Sequence, residues 1–158
     1  MKIVRVVVLT VMMFTVLSGC NFFNEQKAES KIHTYYQAVI DEEYAKAFEQ
    51  VYLFNYDPDK KNNFNDGTEL SKEEAKEFYI KKINRFKEQD YQLKDYEIEK
   101  AQYEDGHSFW HEVHIVAEQK GEQHEWSETI EMHEGKLLIG NSEDPLVNYR
   151  DGKMDLEL

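Results

Sequence analysis

The chain has 158 residues, one cysteine, and 32 Asp+Glu against 19 Lys+Arg, for a formal net charge of −13. That acidity excludes the basic surface that nucleic-acid phosphates demand, and a single thiol excludes any disulfide within the chain. The length suits one compact domain with a short appendage, large enough to bury a core without covalent staples.

Lys2 and Arg5 precede an apolar run from Val6 to Val16, which ends in Leu17-Ser18-Gly19-Cys20. A positive flank, an apolar segment and small residues before a cleavage point make a secretory signal. The run falls well short of the roughly 20 residues that a spanning helix needs. Leu17 to Cys20 resembles a bacterial lipobox, in which the cysteine receives a diacylglyceryl group and becomes the mature N-terminus. The resemblance implies that residues 1–19 are a lipoprotein signal peptide. It also implies a protein held on the extracytoplasmic side of the cell membrane by the fatty acyl chains on Cys20. Losing Lys2 and Arg5 moves the mature chain to −15, so like charges oppose an anionic bilayer. The anchor must then be the lipid, two acyl chains holding firmly where one is marginal.

Residues 20–30 are polar apart from Phe22 and Phe23, and read as a lipidated tether whose two rings are placed to rest at the membrane interface. Ile32, Tyr35, Tyr36, Val39 and Ile40 then recur at helical spacing, and Tyr44, Ala47, Phe48, Val51 and Tyr52 carry the stripe onward past a cap at Asp41. Turn chemistry fills 53–70. Its run of Asp57, Asp59, Asn62, Asn63, Asn65, Asp66 and Glu69 fails the calcium-loop template, because Lys61 and Asn62 stand where an oxygen ligand and a glycine belong. Ser71-Lys-Glu-Glu74 is a capping box that opens a helix from about Lys72 to Glu88.

From Tyr91 the period changes to two, and Asp105-Gly106, Lys120-Gly121 and Glu134-Gly135 mark tight turns. Taken as two-residue hairpins, they pair Ile98 with Val113, Tyr96 with Ile115, Ile115 with Trp126, His111 with Ile130, Ile130 with Ile139 and Met132 with Leu137. All three registers put the apolar residues on one face, and a one-residue slip would break that agreement. Residues 146–158, beyond Pro145, read as a frayed C-terminal tail.

The layout is α+β, with N-terminal helices packed on a four-stranded antiparallel meander. Tyr35-Tyr36-Gln-Ala-Val-Ile40-Asp41, Tyr44-Ala-Lys-Ala-Phe48 and Leu70-Ser-Lys-Glu-Glu-Ala75-Lys-Glu-Phe78 resemble the first helices of the NTF2-like (cystatin-like) superfamily, particularly its small bacterial lipoproteins. The resemblance implies an NTF2-like domain over 31–145. The superfamily holds isomerases, dehydratases and many non-catalytic binding domains, so fold alone does not select a function.

His107, His111 and His114 would share one side of a helix, but in a strand His114 points opposite to the other two, and no His-Glu-x-x-His motif is present. No metal or cofactor is expected, and the chain carries no serine or cysteine nucleophile motif and no phosphate-cradling glycine loop. On the apolar face the register sets Lys100 opposite His111, Glu128 opposite Val113 and Asn141 opposite Glu128, flanked by Trp126 and Tyr96. A polar diagonal on an apolar face is the composition of a candidate pocket. On the outer face, Trp110, His114, Val116 and Leu138 form a candidate interface with a partner protein or a second copy of the chain. The leading expectation is a non-catalytic ligand-binding or protein-interaction module. The alternative is a small isomerase- or hydrolase-like enzyme using a His111/Glu128 pair.

Overall fold

The computed structural model describes residues 24–57, 59, 67–104 and 108–157. Cys20, the signal segment, the Asp105-Gly106 turn and most of the calcium-like run lie outside the described residues.

Helical backbone runs through 24–40 (α1), with Ile32, Tyr35, Tyr36 and Val39 on its buried face. The expected tether over 20–30 is therefore too long. Residues 24–30 supply Glu, Gln, Lys and Ala, strong helix formers whose polarity reads as linker when no apolar stripe shows. Ala28, only 1% exposed, is the residue that seats this turn. Asp41 caps nothing: its carboxylate accepts Gln37 at 3.0 Å, and Glu43 stands at the N-cap of α2 (Tyr44–Phe48) without a side-chain bond.

Both halves of the Ser71/Glu74 capping box form at the start of α3 (Lys72–Ile83). The helix stops short of Glu88 because the Asn84 side chain takes the Ile80 carbonyl at 2.7 Å, the kind of local competition that ends a helical run. A short α4 (Arg85–Glu88) follows and buries Phe86.

The sheet comprises β1 (Tyr91–Ile98), β2 (Gln102–Tyr103), β3 (Phe109–Gln119), β4 (Glu122–His133) and β5 (Lys136–Ser142). It is open and antiparallel, in the order β1-β3-β4-β5, with β2 also on β3. Every apolar pair derived from the turns is found in register. Lys120 and Gly121, then Glu134 and Gly135, all have positive φ, the backbone of type I′ turns whose twist matches the flanking strands. Three departures arise from irregular strands, the first a shift between Leu93 and Asp95 that sets Leu93 against Ala117. β2 pairs one residue out of step with the continuation of β1, setting Gln102 against Trp110. A shift between Glu128 and Ile130 puts Ser142, not Asn141, opposite Glu128.

Residues 146–157 are not a frayed tail. Arg150 is 0% exposed, Asp151 and Met154 5% each, and Leu146, Val147 and Tyr149 pack on the core around a 3₁₀ turn at Val147–Tyr149. Beyond it the chain runs parallel to residues 51–54, which in turn bridge β5 at Leu137. Phe54 N–H donates to Gly152 O at 3.0 Å and Met154 N–H to Phe54 O at 2.8 Å. The segment is rich in charge, which reads as solvated; its two buried charges, Arg150 and Asp151, each have a fixed partner.

Candidate functional site

The inner face of the sheet closes over a buried polar cluster centred on Arg150. Its guanidinium grips Glu128 with two bonds, 2.9 Å to Oε1 and 2.6 Å to Oε2, and reaches Asp144 Oδ2 at 2.9 Å. The planar fork matches a carboxylate in a way no lysine does. Glu128 also accepts the Tyr36 hydroxyl and the Ser142 hydroxyl at 3.0 Å. Asp144 takes the Tyr91 hydroxyl at 2.9 Å and the Leu146 N–H at 2.8 Å. Tyr35 and Tyr79 both donate to the Arg150 carbonyl, at 2.7 and 2.9 Å. Beside this cluster the Lys82 ammonium donates to Asp151 Oδ1, to the Asp151 carbonyl and to the Lys153 carbonyl, all within 2.8 Å.

Burial sets the electrostatics. It raises the pKa of Tyr35, Tyr36, Tyr79 and Tyr91 far above the ordinary phenol range, so all four hydroxyls stay neutral donors. For Arg150 burial, the largest single influence, pulls downward, but Glu128, Tyr35 and Tyr36 together outweigh it and the guanidinium ends well above its usual value. For Lys82 burial wins over Asp151, and the ammonium's pKa is lowered.

The candidate pocket residues separate. His111 and Glu128 share the inner face, each 1% exposed, but no hydrogen bond joins them: His111 Nδ1 lies 3.0 Å from the Glu99 carbonyl, and its Nε2 has no partner among the described residues. Lys100 and Asn141 are exposed. Tyr96 stacks on Tyr36 at 5.1 Å and its hydroxyl meets His33 Nδ1 at 2.9 Å. Trp126 is half-buried between His124 and Tyr91. Tyr35, Tyr36, Tyr79 and Arg150, all fully buried, fill the space over Glu128.

The candidate interface residues are half-buried but not brought together: Trp110 pairs with Gln102 and Glu131 and lines neither of the two outer grooves that hold the others. His114 and Val116 line one of about 460 Å³ with Asp95, Glu97, Glu125 and Glu143. Leu138 lines another of about 700 Å³ with Phe54, Tyr56 and Val147. His114 bridges Glu99 at 2.9 Å and Ser127 at 2.8 Å. The hydrogen bond to Glu99 raises its pKa, favouring imidazolium. The gain is present below the ordinary histidine value and lost as pH rises through the raised one. Both side chains are nearly half exposed, so the consequence for stability is small. The readout is NMR: the His114 midpoint should lie above that of a free histidine, and Glu99→Gln should return it.

Arg150, Asp144 and Ser142 were not legible as members of this cluster from periodicity. One signal was present: the chain has only three arginines, Arg5, Arg85 and Arg150, in a protein that otherwise uses lysine. Among the described residues, no group of His, Cys, Asp and Glu is placed to hold a metal, and no helix is long and apolar enough to cross a membrane.

The fold and cluster together define an α+β domain, helices packed against an open antiparallel sheet, whose interior is sealed by its own C-terminal segment. No protein-family model matches the sequence, and no curated protein matches it.

Proposed function

We propose that the chain is a lipoprotein of the cell membrane, anchored through Cys20 on the extracytoplasmic side, whose NTF2-like domain works as a binding or protein-interaction module and not as an enzyme. The observation that carries the non-catalytic reading is the saturation of Glu128. A carboxylate gripped by a bidentate arginine and two hydroxyls has no lone pair turned to a substrate and no solvent path. The acid–base alternative needs His111 and Glu128 to face a common cleft, and that space is occupied by tyrosine rings. Binding then belongs to the surface, where the outer grooves lie.

The anchor is tested by Cys20→Ala. Metabolic labelling with a fatty acid should fall to background in the variant, and the protein should leave the membrane fraction or accumulate as precursor. Label retained by the variant overturns the anchor.

A further inference from the structure

The start of α1 changes what the anchor implies. With helix from residue 24, Cys20 and the domain are separated by a span of at most about 14 Å, even fully extended. Whatever surrounds the first turns of α1 is therefore held close to the bilayer.

That neighbourhood is basic, in a chain that is otherwise acidic. Lys27 and Lys31 lie four residues apart, on one side of the helix, while Glu25 and Glu29 fall on the other, at about 100° per residue. Lys136, just after the turn between β4 and β5, joins them: the pKa of Lys31 is lowered by burial first, then by repulsion from Lys136 and Lys27. The patch is tied in place, since Lys31 donates to Gln50 Oε1 at 3.5 Å and Lys136 to the Glu49 carbonyl. Two of the nearby carboxylates have other partners, although Glu49 also attracts Lys136. Glu49 pairs with Lys72 at 2.9 Å, and Glu25 accepts the Tyr103 hydroxyl at 3.2 Å. Among the described residues, Lys27, Lys31 and Lys136 form no ion pair.

Three lysines held together, with Glu49 near Lys136 already paired to Lys72, are poised for an anionic partner. We propose that this end of the domain, through Lys27, Lys31 and Lys136, docks on the anionic headgroup surface of the membrane to which Cys20 ties it. The inference rests on the lipid anchor proposed above. The overall negative charge opposes it only weakly, because at physiological salt a charge acts over only about 8 Å. The patch decides the local interaction. The lipid supplies attachment and the lysines supply orientation.

The test uses the full lipidated protein in vesicles of phosphatidylcholine, alone or mixed with phosphatidylglycerol. Acylation consumes Cys20, so a fluorophore can be placed at Ser30→Cys beside the patch, or at Gln123→Cys near the turn between β3 and β4. Quenching by headgroup-labelled lipid should rise about threefold for the Ser30 position when phosphatidylglycerol is present, and subside in high salt. At the Gln123 position it should not change. Replacing all three lysines by glutamine should abolish the difference while the protein still floats with the vesicles. Equal quenching in both kinds of vesicle, or a rise that survives the triple substitution, overturns the docking and leaves the anchor standing. A protein whose mass lacks the diacylglyceryl group and that does not float overturns both.

Discussion

Arg150→Met should destabilise the domain by about 3–5 kcal/mol or more, a large part of the ~5–15 kcal/mol that holds a typical domain together. Methionine replaces much of the volume, so the loss is electrostatic. Glu128 and Asp144 would remain in the interior, 1% and 2% exposed, with no cation between them. Tyr36 and Ser142 would still donate to Glu128, and Tyr91 to Asp144, but neutral donors do not offset a buried charge. Urea titration of the variant should show a fall in midpoint beyond that of Arg85→Met, whose guanidinium pairs at the surface with Glu88. Adding Glu128→Gln to Arg150→Met should recover part of the loss, because it removes one of the stranded charges. If Arg150→Met alone leaves the midpoint within error of the parent, the cluster does not carry the stability assigned to it.

Gly152→Ala is the second large effect, and its cause is steric. A Cβ at this position would sit 1.6 Å from the Tyr52 carbonyl oxygen and 2.7 Å from its carbon. Both atoms are main chain and cannot rotate away. The two segments would have to part, and the Phe54-to-Gly152 bond and the Met154-to-Phe54 bond would go with them. Overpacking typically costs about 1–3 kcal/mol, and backbone against backbone belongs at or above the top of that range. Gly140→Ala is the control: there the new carbon meets Thr129 O at 3.4 Å, a contact that a few tenths of an ångström relieves. Thermal melts of both variants should separate them clearly, and equal melting temperatures would refute the close approach.

The meander was legible because its turns are written in the sequence. Lys120-Gly121 and Glu134-Gly135 place glycine where a type I′ turn needs the left-handed conformation, and a two-residue loop leaves one register free. The irregularity after Glu128 was not legible. Thr129 on one strand, and Asn141 and Ser142 on the other, are all small and polar, so moving the pairing by one residue changes no apolar pattern. The helix break at Asn84 stayed hidden for a different reason. Ile83 and Phe86 continue the apolar face across it, while the Asn84 side chain adds a second bond to the Ile80 carbonyl that its backbone N–H already caps.

The polar cluster divides along the same line. Glu128 was found because alternation along β4 puts it on the apolar face, and its burial is as that pattern requires. Its partner could not be found the same way. Arg150 sits 22 residues away in a segment without period, and a charged segment looks identical in sequence whether it is solvated or internally paired. Sequence pattern reports hydrophobic burial well and ionic burial poorly, since only the first depends on residue type alone.

The far position of Arg150 along the chain also orders events in time. Tyr35 bonds to the carbonyl of a residue 115 positions further on, and the inner face of the sheet is sealed only by residues 144–154. During synthesis the ribosome releases these residues after every other part of the core. Until they arrive, Glu128 lacks its cation and the 51–54 segment lacks one of its two neighbours. Contacts this distant in sequence close late and slowly. A protein built so completes its interior only when a segment far along the chain has returned to a helix near the start of the described residues.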